Sequence, residues 1–363
     1  MMDKSSHLTI FIATLSLVSF GLVMIYSSSS ILAMEKYGDE YYFLKKQMIF
    51  AVVGVLIMVF LSRLKYEYLR KIAYCGIALC IILLVLILIP PIGVKRGGAA
   101  RWLGLGFFTF QVTELVKILF VVFLAHFLTK AVAHIKDFKK GILIPTAVTL
   151  PIIGLIMLQP DFGTAIIISV VFMIMIYLAG GRILHLSLMT VPLIAGAVTM
   201  VIMKPYRMQR WLAFLDPWKD AQGKGFQIVQ SWISFGSGGP FGVGLGDGMQ
   251  KLFYLPEPHT DFILSVVAEE VGFIGVALVI VFFIFLVFQG FVITFKSPDL
   301  FGTMLAGGLT TLIALEASIN IAAVVGLIPT KGLALPFMSY GGSSLVMSLA
   351  AVGMLLSVSA ARR

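Results

Sequence analysis

Apolar runs close to the length of a bilayer crossing recur along this chain from one end to the other, and nothing else narrows its fold as far. A span needs roughly 20 consecutive apolar residues, and ten such runs can be drawn: 8–32, 46–63, 71–91, 112–130, 141–158, 162–180, 183–203, 262–295, 301–328 and 336–360. Composition agrees, with 60% hydrophobic and 12% charged residues over 363 positions and a mean hydropathy of +1.04. Inside hydrocarbon only helices and closed barrels satisfy the backbone. These runs are continuous rather than alternating, which favours helices. The sequence therefore predicts an all-α polytopic membrane protein, one integral-membrane unit over 1–363. The first run resembles a signal peptide, but its charged start is short and it continues into Tyr26 and Ser27–Ser30, so an uncleaved anchor is expected.

Lys and Arg counts orient the spans. With the N-terminus in the cytoplasm, thirteen cations fall on the inner side and seven in the short outer loops. Both termini are thus expected in the cytoplasm, and the long segment 204–261 outside. The formal charge of +10 could suggest nucleic acid. The inner cations have the membrane as their explanation, however, and no basic helix with interleaved aromatics exists, so nucleic acid is excluded. Cys75 and Cys80 point about 140° apart on one helix and cannot bridge each other there.

Two outer segments break the alternation of span and short loop. One is GVKRGGAARWLGLGFFTFQ, 93–111. The other is 204–261, which carries Tyr206, Arg207, Arg210, Trp211, Trp218 and Trp232, then seven glycines between Gly236 and Gly248. A connection that long usually serves function. Its glycines fit either a tight re-entrant loop or a nest of backbone amides for an anion. A dinucleotide fingerprint is excluded, since no strand–helix unit surrounds them.

Charges at membrane depth cost on the order of 3 kcal/mol each and invite explanation. Glu114 and Lys117 share one face of the fourth span, as a structural ion pair or a functional one. Asp161, in QPDFG, can cap the sixth helix. Glu316 and Asn320 share a face of the ninth span, where hydrogen bonding between helices is the simple account. The most unusual stretch is LPEPHTDFILSVVAEE, 255–270. Pro256 and Pro258 delay the helix to about Thr260, placing Asp261 in its first turn and Glu269 about 12 Å further along. A Ser265–His259–Asp261 triad is sterically unfavourable, and His259 with Asp261 alone is too small a ligand set for a metal. An outward carboxylate can act as general base for a hydroxyl, while Arg101, Lys117, Arg207 and Arg210 can hold a diphosphate. Sugar transfer from a polyprenyl-diphosphate carrier is one chemistry that fits.

Longer motifs sharpen this. GLIPTKGLALPFMSYGGSS (326–344), LPEPHTDFILSVVAEEVGFIG (255–275), QPDFGTA (159–165) and RMQRWLAFLDPW (207–218) resemble the SEDS family of cell-wall glycosyltransferases, which comprises FtsW, RodA and SpoVE. The resemblance starts at GLVMIYSSS (21–29) and covers essentially the whole chain. QKLFYLP and IPTKG look closer to the division-type branch than to the elongation-type one. It implies a ten-span enzyme of the bacterial cytoplasmic (inner) membrane that polymerises lipid II into peptidoglycan, acting at the division septum. Its partners would be undecaprenyl-diphosphate-linked glycan, a class B penicillin-binding protein and other divisome membrane proteins. Asp261 would be the catalytic base. Glu114, Lys117, Arg101, Arg207, Arg210, His259, Asn320, Lys331 and Ser339 would line the substrate site, and a divalent cation, magnesium or manganese, is a candidate aid. The chain departs from the family pattern at Gln111–Glu114, where Gln-Pro-Ser-Glu is common, and by one arginine fewer before Trp102. Glu316 stands where glutamine is common. The alternatives are a lipid II flippase, an elongation-type polymerase, and a scaffold that activates partners at the septum.

Overall fold

The computed structural model describes residues 4–361 except 91, 97–98, 105–108, 204, 224, 250–256 and 331. Its frame is a bundle of apolar helices: α1 (Lys4–Tyr37), α2 (Tyr42–Arg63), α3 (Tyr68–Leu86), α4 (Val112–Ala131), α5 (Ile144–Leu158), α6 (Phe162–Leu178), α7 (Ile183–Ile202), α8 (Pro205–Leu215), α9 (Phe226–Gly238), α10 (Ile263–Glu270), α11 (Gly272–Lys296), α12 (Leu300–Val325) and α13 (Gly342–Ala360). Among the described residues, eight helical stretches are long and apolar enough to cross a membrane. The shorter apolar helices α6 and α7 bring the number to the expected ten.

The centre of the bundle is α12, packed on α4, α6, α11 and α13. Its glycines allow close approach, and its ends are set chemically. The Asp299 side chain accepts from Gly302 N at 2.9 Å, and Gly326 ends the helix in the left-handed conformation (φ 84°). Alongside it, α2 buries the stripe Phe43, Gln47, Ala51, Gly54 and Met58 against α13. Helix α7 lies at the periphery. Its described residues from Val191 to Thr199 are exposed on every side, as an apolar helix facing lipid can be. Cys75 is exposed, Cys80 is buried, and both are free.

Two expectations need correction. Segment 93–111, an outer loop in an otherwise all-α expectation, carries a small antiparallel sheet of β1 (Gly93–Arg96), β2 (Ala99–Gly104) and β3 (Thr109–Gln111), ordered β1-β2-β3. Gln111 N donates to Ser343 Oγ at 3.0 Å, tying the sheet to the start of α13.

The stretch 262–295 is not one helix. It breaks at Val271–Gly272, where Gly272 has φ 76°. The cause is the glycine loop after α9, which enters the break. Val243 N and Gly244 N donate to Glu269 O and Glu270 O at 2.9 and 3.1 Å, and Phe273 N and Ile274 N donate to Gly239 O and Pro240 O at 2.9 and 3.2 Å. The groups freed by breaking the helix thus find partners in the loop. Glycine is required on both sides: a Cβ on Gly242 (φ 80°) would lie 2.2 Å from Glu270 O, and one on Gly272 2.3 Å from Gly242 N.

Candidate active site

Asp261 stands just outside a helix, not in its first turn. Helix α10 starts at Ile263 with Phe262 as its cap residue, and no side chain caps it. The earlier expectation placed Asp261 inside the first turn, but residues 257–262 form turns, entered through Glu257 at φ 50°. Freed from capping, the carboxyl of this partly buried residue faces the 332–335 loop; a Cβ on Gly332 would lie 3.3 Å from Asp261 Oδ2.

The backbone around Asp261 is held by three donors, one from α12 and two from the turn before α13. His259 O accepts from Tyr340 N at 2.8 Å, Thr260 O from Ser339 Oγ at 2.7 Å, and Asp261 O from Asn320 Nδ2 at 2.9 Å. Asn320 Nδ2 also donates to Leu333 O at 2.7 Å, and Ser339 Oγ accepts from Leu335 N at 2.8 Å. Two expected site residues, Asn320 and Ser339, therefore serve the backbone of the loop that carries Asp261. Three consecutive carbonyls, each with its own partner, leave that loop little freedom.

His259 is buried between Phe43 and Tyr340, with ring centroids 4.5 and 5.3 Å away. Burial, with the Lys36 charge adding to it, pulls its pKa down to about 4. It is a neutral wedge at physiological pH. The Asp261 carboxyl is pushed up to about 6, by burial first and the Glu257 charge second, against the opposing pull of Arg101. A carboxylate so placed is ionised at neutral pH and more basic than an ordinary one.

Arg101, on β2, donates through Nη2 to Pro160 O at 2.7 Å, and its Nε lies 3.6 Å from Asp161 Oδ2. Asp161 caps α6 as expected, accepting from Thr164 N at 3.2 Å and Thr164 Oγ1 at 2.9 Å. Arg101 is thereby anchored to the QPDFG turn on the same side as Asp261. Glu114 and Lys117 sit elsewhere, in a buried cluster with Glu316: Lys117 Nζ donates to Glu114 Oε1 at 2.9 Å and, by a shorter contact, to Glu316 Oε1. A narrow cleft bounded by Ile118, Leu312 and Met347 adjoins them. Lys331 and the side chains of Arg207 and Arg210 lie outside the described residues.

The two carboxylates at the end of α10 are structural. Glu269 accepts from Met249 N at 2.8 Å, and Glu270 Oε2 accepts from Ser27 Oγ at 2.5 Å. They fasten the glycine loop and α1 to α10. The loop amides of Gly242, Val243, Gly244, Asp247 and Met249 all donate within the protein, which favours the re-entrant reading over an anion nest. Ser265 Oγ pairs with Ser231 Oγ at 2.8 Å rather than with His259. Sequence reasoning missed Phe43 and Gln47. The available signal was a glutamine four residues after a phenylalanine on an otherwise apolar helix face.

Residues 7–363 match the FtsW/RodA/SpoVE family, described as cell cycle protein. The chain belongs to that family. Stage V sporulation protein E of Bacillus subtilis is 42% identical over 98% of this chain and 97% of its own length. The probable peptidoglycan glycosyltransferase FtsW of Geobacter sulfurreducens is 45% identical over 97% and 94%. Among solved structures, a chain from a peptidoglycan synthase complex that coordinates polymerization and crosslinking superposes with TM-score 0.79 at 29% identity, covering 97% of both chains. Thermus thermophilus rod shape determining protein RodA superposes with TM-score 0.71 at 26% identity, covering 97% and 96%. As a member of this family with ten apolar helices, the protein is a multi-pass protein of the inner membrane.

Proposed function

We propose that this protein is a peptidoglycan glycosyltransferase that polymerises lipid II at the outer face of the cytoplasmic membrane, in septal synthesis, with Asp261 as general base. The observation that carries the reading is an aspartate in a turn hydrogen-bonded at three consecutive carbonyls, its carboxyl pushed up to about 6 and within the electrostatic reach of Arg101, which is anchored to the QPDFG turn. In this scheme Asp261 takes the proton of the acceptor's N-acetylglucosamine 4-hydroxyl. The oxygen attacks the anomeric carbon of the lipid-borne donor chain, undecaprenyl diphosphate leaves with the bonding electron pair, and configuration inverts. Arg101 supplies positive charge near the departing diphosphate, where charge develops, with Arg207, Arg210 and Lys331 as further candidates. The exposed outer half of α7 suits lateral arrival of a lipid-tethered substrate. A class B penicillin-binding protein is the expected partner, in keeping with the synthase complex to which the fold is similar.

The test is polymerisation of fluorescent lipid II by the purified protein with its transpeptidase partner, read on a gel. Asp261→Asn should abolish glycan chains while leaving the protein folded; chains of normal length and yield would refute the base. The flippase reading needs alternating access. The one broken helix among the described residues has its break filled by the glycine loop with four cross hydrogen bonds, which favours the enzyme.

A further inference from the structure

Gln47 lies in the stripe that α2 buries against α13, where its neighbours are Phe43, Ala51, Gly54 and Met58. It is 1% exposed. An amide in such a place is costly unless both ends are bonded, and both are. Gln47 Nε2 donates to Ser339 O at 3.2 Å, and Gln47 Oε1 accepts from Gly341 N at 3.2 Å. The two partners flank Tyr340 in the turn that leads into α13, so one side chain brackets that turn. One helical turn earlier, Phe43 meets the ring of Tyr340 edge-on at 5.1 Å and that of His259 at 4.5 Å.

The bracketed turn is the one that holds the Asp261 loop: Ser339 Oγ donates to Thr260 O and Tyr340 N to His259 O. Two of the three clamps thus come from residues that Gln47 and Phe43 themselves fix. The base of the clamp is firm, because α2 runs against α13 so closely that a Cβ on Gly54 would lie 2.5 Å from Leu349 Cδ1, and one on Gly342 2.4 Å from the Phe50 ring. We propose that Gln47 is a positioning residue for the transfer reaction: it fixes the Ser339–Gly341 turn and, through it, the placement of the Asp261 carboxylate. This rests on Asp261 acting as the base. It assigns to α2, far away in sequence, a share in the reaction that no chemistry-bearing motif marks.

Displacing a reacting group by about 1 Å can cost about 100-fold in rate. Gln47→Met keeps length and apolar packing and removes both hydrogen bonds. With lipid II as substrate and the transpeptidase partner present throughout, kcat should fall about 10- to 100-fold while KM stays within about twofold. A loosened loop admits water to Asp261, so the acid limb of the pH–rate profile should move to lower pH, which a loss of folded protein alone would not cause. Phe43→Leu keeps the Gln47 bonds but removes the ring against His259 and Tyr340, and should give the same split at smaller amplitude. Met48→Ala, on the exposed face of α2, should match the parent. Parental kcat and an unmoved limb in Gln47→Met, whatever Phe43→Leu does, or a loss carried wholly by KM, would overturn the proposal. Asp261→Asn run in parallel separates the two ideas: if it polymerises normally, the base assignment fails, whereas an inactive Asp261→Asn beside a normal Gln47→Met sinks only the positioning role.

Discussion

If Asp261 is held ready for catalysis at a cost to the fold, removing its charge should stabilise the protein while abolishing its activity. The folded-state pKa is about 6 against an ordinary value of 3.8. For an acid raised in this way, the neutral form is favoured by folding. The penalty is absent below the unfolded value, grows between about pH 4 and 6, and is complete above the folded value. Each pKa unit corresponds to about 1.4 kcal/mol. Allowing for partial solvent screening, Asp261→Asn should gain on the order of 1–3 kcal/mol at pH 8 and almost nothing at pH 4. The measurement is thermal unfolding of both proteins in the same detergent across that range, where the gain should read as a rise of a few degrees at alkaline pH. A gap between the two that stays constant with pH, or an asparagine variant that is less stable at pH 8, would refute the reasoning about the carboxyl's surroundings. Activity measured alongside should be lost at every pH.

The polymerisation rate of the parent should rise with pH and level off above about 6, as one group loses its proton; a flat profile from pH 5 to 8 would exclude Asp261 as the titrating base. Asn320→Leu strips the partners from Asp261 O and Leu333 O and should cost about 1–3 kcal/mol in unfolding, with kcat falling further than stability explains. In the buried cluster two carboxyl groups share one ammonium, each side chain less than a tenth exposed. Lys117→Met should therefore destabilise by about 3–5 kcal/mol, whereas Glu316→Gln, which leaves a one-to-one pair, should be close to neutral; equal unfolding midpoints for the two would contradict this. Gly242→Ala forces a Cβ onto Glu270 O and should lower the unfolding midpoint while prising the loop from the α10–α11 break, read as faster proteolysis within 239–249.

The spans were legible because hydrophobicity acts locally: a run of apolar residues is a helix in a membrane whatever surrounds it. The break at Gly272 was hidden for the same reason. Nothing local forbids a helix through Val271, and what interrupts it is a loop from thirty residues earlier whose amides and carbonyls replace the helix's own bonds. Motif reading named Asp261, Asn320 and Ser339 together, yet could not show that Asn320 and Ser339 bond to the backbone of the 259–261 turn, since that depends on which atom each side chain meets. The charges near Asp261 illustrate the same limit. Glu269 and Glu270 are carboxylates of the same stretch, but their oxygens accept from Met249 N and Ser27 Oγ, while the Asp261 carboxyl lies against Gly332. What distinguishes this aspartate from its neighbours is the backbone around it, held by α12 through Asn320 and by the turn before α13 through Ser339 and Tyr340.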